Sequence, residues 1–449
     1  MIVAVTVAGC YHPSAETGAP CAANGACPAA QVCDTQQQPP RCVAGLGGDA
    51  GPPDARAIDA PIPDCTTSAD CGPSAPVCDP SIKVCRGCTA DAECTAGVCL
   101  EYVGQCTPSA AAIYVSPSGM DTGTCALDQP CATLGFAVQQ LGVARRVIRV
   151  GDGSYGATGA PVLRIPNLGL GRIVVSGERG SATGALLTAA SDGVTNPAVV
   201  QTDTSTDVVI EGLTIHDGGS SGMRPGGGVT LYRVAIVGNA ARGIDANSMQ
   251  TGAVHIWESR ISGNGSDGIA FGGQSGSLEV LRSEISHNAG GGAYIQKGAA
   301  TIVDSLVVKN GSSSSFYGGL RYQNLNGLPQ VLQFDTIADN HSGTSPAGVF
   351  ADNNLSLAVD DCILAGNNAD TSPQICAQCT ATFSLFVGAA PVGSFSGAPA
   401  FVDPATDDYH LRPTSAARGQ ADPNATLRLD IDGEPRPQGA FDIGADEIP

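Results

Sequence analysis

Aromatic residues make up only 4% of the 449-residue chain and charged residues only 14%, with a single tryptophan. Helical bundles and coiled coils draw on charged and long aliphatic side chains, so that composition excludes them. No stretch approaches the roughly 18 consecutive apolar residues of a membrane-spanning helix. The one apolar opening is Met1 to Gly9. Basic side chains are scarce too: 22 Lys and Arg stand against 42 Asp and Glu, for a formal charge of −20. Such a surface repels phosphate backbones, which excludes nucleic acid as a partner. Glycine, with 59 residues, and proline, with 30, are abundant, and they describe a turn-rich all-β chain.

Cysteine is abundant as well. Most of the 18 cysteines fall in the first 131 residues, the mark of an oxidising compartment outside the cytoplasm. The opening ends in Val7-Ala8-Gly9-Cys10 and resembles a bacterial lipobox. The resemblance implies a lipid on Cys10, attachment to a membrane through that lipid, and display on the bacterial outer membrane or cell surface. The stretch 1–10 carries no Lys or Arg of a charged leader, so the true start is expected upstream. The alternative is that Cys10 is one more disulfide partner.

Twelve cysteines then fall into three sets of four: Cys21, Cys27, Cys33, Cys42 within 11–46, and Cys65, Cys71, Cys78, Cys85 with Cys88, Cys94, Cys99, Cys106 within 65–106. Segments this short bury no core, so disulfides must constrain them. Zinc competes as a reading, but no set has the paired C-x2-C spacing of a zinc ribbon. Residues 47–64, rich in Gly, Pro, Ala and Asp, read as a disordered linker.

From Ile113 short Val, Ile and Leu runs alternate with Gly, Asn, Ser and Asp. Asn239, Asn264, Asn288, Asn310, Asn340 and Asn367 recur at intervals of 25, 24, 22, 30 and 27 residues, which are solenoid intervals. A coil of that length holds three short strands, each pairing with its counterpart about 4.8 Å away. Asparagine suits the recurring turn through its tolerance of positive φ and through amide bonding along the stack. Ile210, Leu231, Ile256, Val280 and Ile302 form one inward column, and Ile215, Ile236, Ile261, Ile285 and Val307 another. This pattern resembles the right-handed parallel β-helix of the pectate-lyase-like superfamily. The expected fold is therefore an all-β, right-handed parallel β-helix solenoid over 112–449, preceded by small disulfide-rich modules.

Both ends fit that fold. Ile113 to Gly119, with Pro130-Cys131-Ala132-Thr133-Leu134, looks like an opening segment of this superfamily, and Leu134, Ala137, Val138 and Leu141 would form a helical plug. Cys125 and Cys131 bracket that approach as a candidate pair. At the far end, Asp408 to Pro413, Asp430 to Pro437 and Phe441 to Glu447 resemble the choice-of-anchor Q module, placed at about 385–449. Ser415-Ala416-Ala417-Arg418-Gly419 departs from that family's usual Ser-Pro-Ala-Ile-Asp-x-Gly.

Catalytic chemistry is less evident. Arg233, Glu258, Arg282, Asp304, Asp335 and Asp361 read as an outward column, if the fifth coil is one residue short before Asn340. Its last three members would be stacked carboxylates that either raise one another's pKa, hold Ca2+, or act as the acid pair of a glycosidase. Stacked aspartates beside turns also cap backbone amides without any catalytic role. No confident metal site emerges, since His216 and His287 lie three coils apart. Trp257 with Tyr232 makes a thin sugar platform. Cys362 takes an inward serine position as a free thiol, and Cys376 with Cys379 closes a local loop. The leading expectation is a lipid-anchored surface rod that binds a glycan, matrix or partner protein, with the cysteine modules as its stalk. A polysaccharide lyase or hydrolase and a purely structural spacer are the alternatives.

Overall fold

The computed structural model describes residues 31–34, 41–44, 65–177, 184–249, 251–323, 328–343, 346–352, 355–370, 374–437 and 441–448. Two compact units divide the chain, Met1–Pro61 and Ile62–Pro449. In the first, strands Gln31–Asp34 and Arg41–Ala44 pair antiparallel with Cys33 opposite Cys42. Cys10, the rest of the first cysteine module and the 47–64 linker lie outside the described residues.

The second unit is built around a three-sided parallel β-helix. Two sheets of eleven strands and one of eight run along it. Successive strands join the first, second and third sheet in rotation: Gly228–Tyr232, Ala235–Val237 and Ile244–Ala246, then Ala253–Trp257, Arg260–Ser262 and Asp267–Phe271. Alternation decides which side chains enter the lumen. Val254 and Ile256 point in, while His255 and Trp257 point out. Leu231 pairs with Ile256 and then Val280 and Ile302, and Ile236 with Ile261, Ile285 and Val307. Ile244, Ile269, Ala293, Leu320 and Val349 make the third column. Each fully buried Leu, Ile or Val in these columns contributes about 1.5–3 kcal/mol.

Two turns repeat in every one of these coils. Between the second and third sheets, Asn264 Oδ1 accepts both the Asn239 N–H at 3.1 Å and its Nδ2 at 2.9 Å. The same double bond joins Asn264 to Asn288, Asn288 to Asn310, Asn310 to Asn340, and Asn340 to Asn367. The asparagines are not the left-handed residues of this turn, contrary to expectation. That conformation falls one position earlier, on Gly238, Gly263, His287, Lys309, Asp339 and Gly366. Asparagine is selected here for its amide, whose oxygen and two donors are all used inside the turn.

Between the first and second sheets the left-handed residue is Arg233, Glu258, Arg282, Asp304, Phe334 and Asp361 in successive coils. The residue after it faces inward: Val234, then Ser259, Ser283, Ser305, Asp335 and Cys362, and after left-handed Phe383 one coil on, Ser384. From Ser259 onward each side chain accepts an N–H from the coil before: Ser259 N–H to Ser283 Oγ is 3.0 Å and Ser305 N–H to Asp335 Oδ1 is 2.9 Å.

Added pieces close the ends and flanks. Helix Leu134–Gln139, capped by Thr133, turns Leu134, Ala137 and Val138 onto the apolar lumen, and a disulfide joins Cys125 to Cys131 just before it. The second and third cysteine modules are hairpins crossed by Cys65–Cys78 and Cys71–Cys85, and by Cys88–Cys99 and Cys94–Cys106. The third module is not a free stalk. Its Val98, Leu100 and Tyr102 bury against Val147, Val174, Val209, Tyr232 and Trp257 on the outside of the first sheet. Asp91 pairs with Arg149 at 2.7 Å, and Glu101 with Arg233 at 3.1 Å. Two disulfides alone cannot bury Val98, Leu100 and Tyr102, and the sheet supplies the cover.

Candidate functional site

Asp304, Asp335 and Asp361 do not form an acidic column. Each asparagine of the ladder follows the left-handed residue by six positions in all six coils, so the fifth coil is not a residue short. Phe334 therefore holds the column position, and Asp335 points into the lumen at the serine position. It is completely buried, with Oδ2 lacking any hydrogen bond, and burial pushes its carboxyl well above the usual range. Asp304 is buried as well. Its Oδ1 meets Arg436 at 2.7 Å, and burial raises its carboxyl in spite of that partner. Asp361 accepts the Asp422 N–H at 2.7 Å and Gln333 Nε2 at 3.2 Å. With one carboxylate inside the lumen and two outside it under cover, the three share no cavity for Ca2+ or a sugar.

What covers them is the C-terminal segment. Tyr409, Leu411, Phe441 and Ile443 pack on Val308, Phe334, Ala338 and Ile363 on the outside of the second sheet. Arg436 lies over the Phe334 ring, 4.8 Å from its centroid, and also meets Glu447 at 3.0 Å. Tyr409 Oη donates to Asp339 at 2.7 Å, and Asp407 takes Lys309 and, at 3.4 Å, His287. Outside the lumen, the left-handed residues carry the polar contacts that seat this segment. Tyr232 and Trp257, the sugar platform of the sequence, are buried under the third cysteine module.

Cys376 and Cys379 are bridged, and Cys362 is a free, buried thiol whose titration burial pushes up. His216 bonds Asp217 at 2.8 Å rather than any second histidine.

With the first sheet covered towards its N-terminal end and the second towards its C-terminal end, the third sheet presents a row of outward side chains. In register it reads Arg164, Gln201, Arg224, Asp245, Ala270, Tyr294, Arg321 and Phe350. Its far end is an aromatic cluster on one cation. The Arg321 guanidinium lies 4.6 Å from the Tyr294 and Phe316 ring centroids and 6.0 Å from Phe350, and Asp352 holds it at 2.7 Å. Phe316 is 49% exposed and meets Phe350 edge to face at 5.4 Å. Tyr294 Oη bonds Gln323 and accepts Gln296 Nε2 at 3.1 Å. Planar apolar faces ringed by amide, hydroxyl and guanidinium groups match a sugar ring, which has a C–H face and a hydroxyl rim. Sequence reading missed this cluster, because Phe316 sits outside any strand; the signal was the residue after Ala293, Leu320 and Val349 of the third column, which reads Tyr294, Arg321 and Phe350 in successive coils.

A second polar group stands on the uncovered part of the first sheet. Glu279 Oε2 accepts from Trp257 Nε1 at 2.9 Å and bonds His255 Nδ1 at 2.8 Å. Burial raises the Glu279 carboxyl, but the bonds from His255 and Trp257 outweigh it and hold the group below its ordinary value.

Comparison with known proteins agrees with the architecture. Residues 193–326 match the family model described as "Right handed beta helix region". The chain is a right-handed parallel β-helix. Among solved structures it resembles pectate lyase Pel9A at 14% identity, covering 75% of this chain and 96% of that one with a TM-score of 0.47. It also resembles a rhamnogalacturonan lyase at 12% identity, covering 65% and 90%, with a TM-score of 0.30. No curated protein sequence matches the chain.

Proposed function

We propose that this β-helix is a carbohydrate-binding rod of the bacterial cell surface, held to the membrane by a lipid on Cys10. The observation that carries the binding reading is the cluster of half-buried Tyr294 and Phe350 and exposed Phe316 around Arg321 in a chain that has few aromatics. The ligand is a neutral polysaccharide. Arg321 is already neutralised by Asp352, and a formal charge of −20 repels polyanions. Six disulfides among the described residues support an oxidising compartment.

Affinity electrophoresis in gels containing neutral or acidic polysaccharides tests the binding. Retardation by a neutral glycan, reduced at least tenfold in Phe316→Ala and Arg321→Ala, is the expected result; no retardation by any glycan would leave the structural-spacer reading. Cys10→Ser should move the protein from the membrane fraction to the soluble one. The lyase alternative has one observation in its favour, the His255–Glu279 pair, which sets an imidazole and a carboxylate 2.8 Å apart on the first sheet. Release of unsaturated products, lost in Glu279→Gln, would establish that reading instead.

A further inference from the structure

The C-terminal segment holds a cluster that neither the fold nor the glycan reading uses. One ligand atom each from His410, Asp432 and Asp446 lies within 4.8 Å of the others. They come from separate stretches: the hairpin strand Asp408–Leu411, the turn 430–434, and the last described residues.

We propose that these three side chains form a divalent transition-metal site, with Zn2+ as the fitting ion. An imidazole with carboxylates suits Zn2+, whereas Ca2+ takes oxygen ligands. His410 is oriented for the task. Its Nδ1 is held by Asp408 Oδ1 at 2.6 Å, and Nε2 is hydrogen-bonded to Asp432 Oδ2 at 2.9 Å. The ion would displace the proton of the Nε2–Asp432 bond and take both atoms as ligands, while the carboxylate on Nδ1 keeps the ring in place, the arrangement that supports metal-bound histidines. Asp446 supplies an independent observation. It is 7% exposed, the Leu411 N–H fixes its Oδ2 at 2.6 Å, and among the described residues its Oδ1 takes no hydrogen bond. Asp432 is positioned through its own N–H, which donates to the buried Asp430 at 3.0 Å. Zn–N and Zn–O bonds of about 2.0–2.2 Å in tetrahedral geometry require the His410–Asp432 contact to open slightly around the ion, which the exposed side chains of both residues allow. Water would fill the remaining coordination. Bound there, the ion would bolt the hairpin to the turn that leads into Arg436, and so secure the segment covering the second sheet.

Disulfide-intact full-length protein, freed of metal by chelation, should take up one Zn2+ per chain in equilibrium dialysis with metal analysis. His410→Ala should abolish that uptake, and Asp432→Asn, which keeps size and hydrogen bonding, should weaken it at least tenfold. His255→Ala, remote from the cluster, should leave it unchanged. Cobalt(II) substitution should give visible absorption bands of low-symmetry coordination in the parent protein and not in His410→Ala. Absence of stoichiometric Zn2+, or uptake unaffected by both His410→Ala and Asp432→Asn, would overturn the proposal.

Discussion

Replacing Asp335 by serine should make the protein more stable, although the residue is completely buried and lies in the middle of a hydrogen-bonded column. Ser259, Ser283, Ser305 and Ser384 occupy the equivalent place in other coils. Each of their hydroxyls also donates to the carbonyl two residues back, as Ser305 does to Val303 at 2.9 Å and Ser384 to Thr382 at 3.0 Å. Asp335 keeps the accepting half of that pattern, from the Ser305 N–H, but strands Oδ2 in the lumen beside an equally unpartnered Tyr322 hydroxyl. An unsatisfied buried acceptor costs about 1–3 kcal/mol. The volume lost on going to serine returns up to about 1 kcal/mol of that. At ~2 °C per kcal/mol for a chain of this size, the midpoint should rise by up to about 6 °C at pH 8. The pH sets the sign. Burial raises the folded carboxyl above its unfolded value near 3.9, so its stabilising contribution is complete below about pH 4 and is lost as pH rises towards the folded value. The gain from Asp335→Ser should therefore be largest at pH 8 and fade towards pH 4. Calorimetric scans at one fixed rate, across that range, would measure it. A variant less stable at every pH, or a gain equal at pH 4 and pH 8, would refute the reasoning.

Asn288→Ala removes the oxygen that accepts both the N–H and the Nδ2 of Asn264, so a loss of about 2–4 kcal/mol is expected in denaturant or thermal melts. Arg436→Met strips Asp304 and Glu447 of their buried partner, and limited proteolysis should then release the C-terminal segment at protease concentrations that leave the parent protein intact. Glu211, buried beneath the third cysteine module with Glu101 and Arg149 as its charged neighbours, has its carboxyl raised to about 7 by burial. Its contribution is present below about pH 4.5 and lost as pH rises through 7, so hydrogen-exchange protection of residues 97–106, taken relative to the intrinsic base-catalysed rate, should fall from pH 6 to pH 8, and Glu211→Gln should flatten that fall.

Much of the β-helix was legible because a lumen imposes one residue class on one position in each coil: the columns through Ile256 and Ile261 and the asparagine ladder are visible as spacing alone. The error at Asp335 came from preferring like charges to a constant interval. Six residues separate Glu258 from Asn264 and Asp304 from Asn310, and the same six lead from Phe334, not Asp335, to Asn340. What spacing cannot show is which outward faces are covered. Arg436 meets Asp304 across 132 residues of sequence, and Val98 reaches the Trp257 cluster, contacts that depend on two appended segments folding back. The aromatic cluster was hidden for the same reason, since its exposure depends on what does not lie over the third sheet.

The asparagine ladder has a direction. Every amide oxygen accepts from the preceding coil, the Gly218 N–H opens the series by donating to Asn239, and Gln374 closes it by accepting from Asn367. A coil carrying its own asparagine can be inserted or deleted anywhere between those two ends without leaving a bond unmade, and the loops after the ladder already differ enough to give intervals from 22 to 30 residues. Rod length is thus free to change by whole coils during evolution, while the two closing segments, each fitted to particular side chains, fix where such a change can begin and where it must stop.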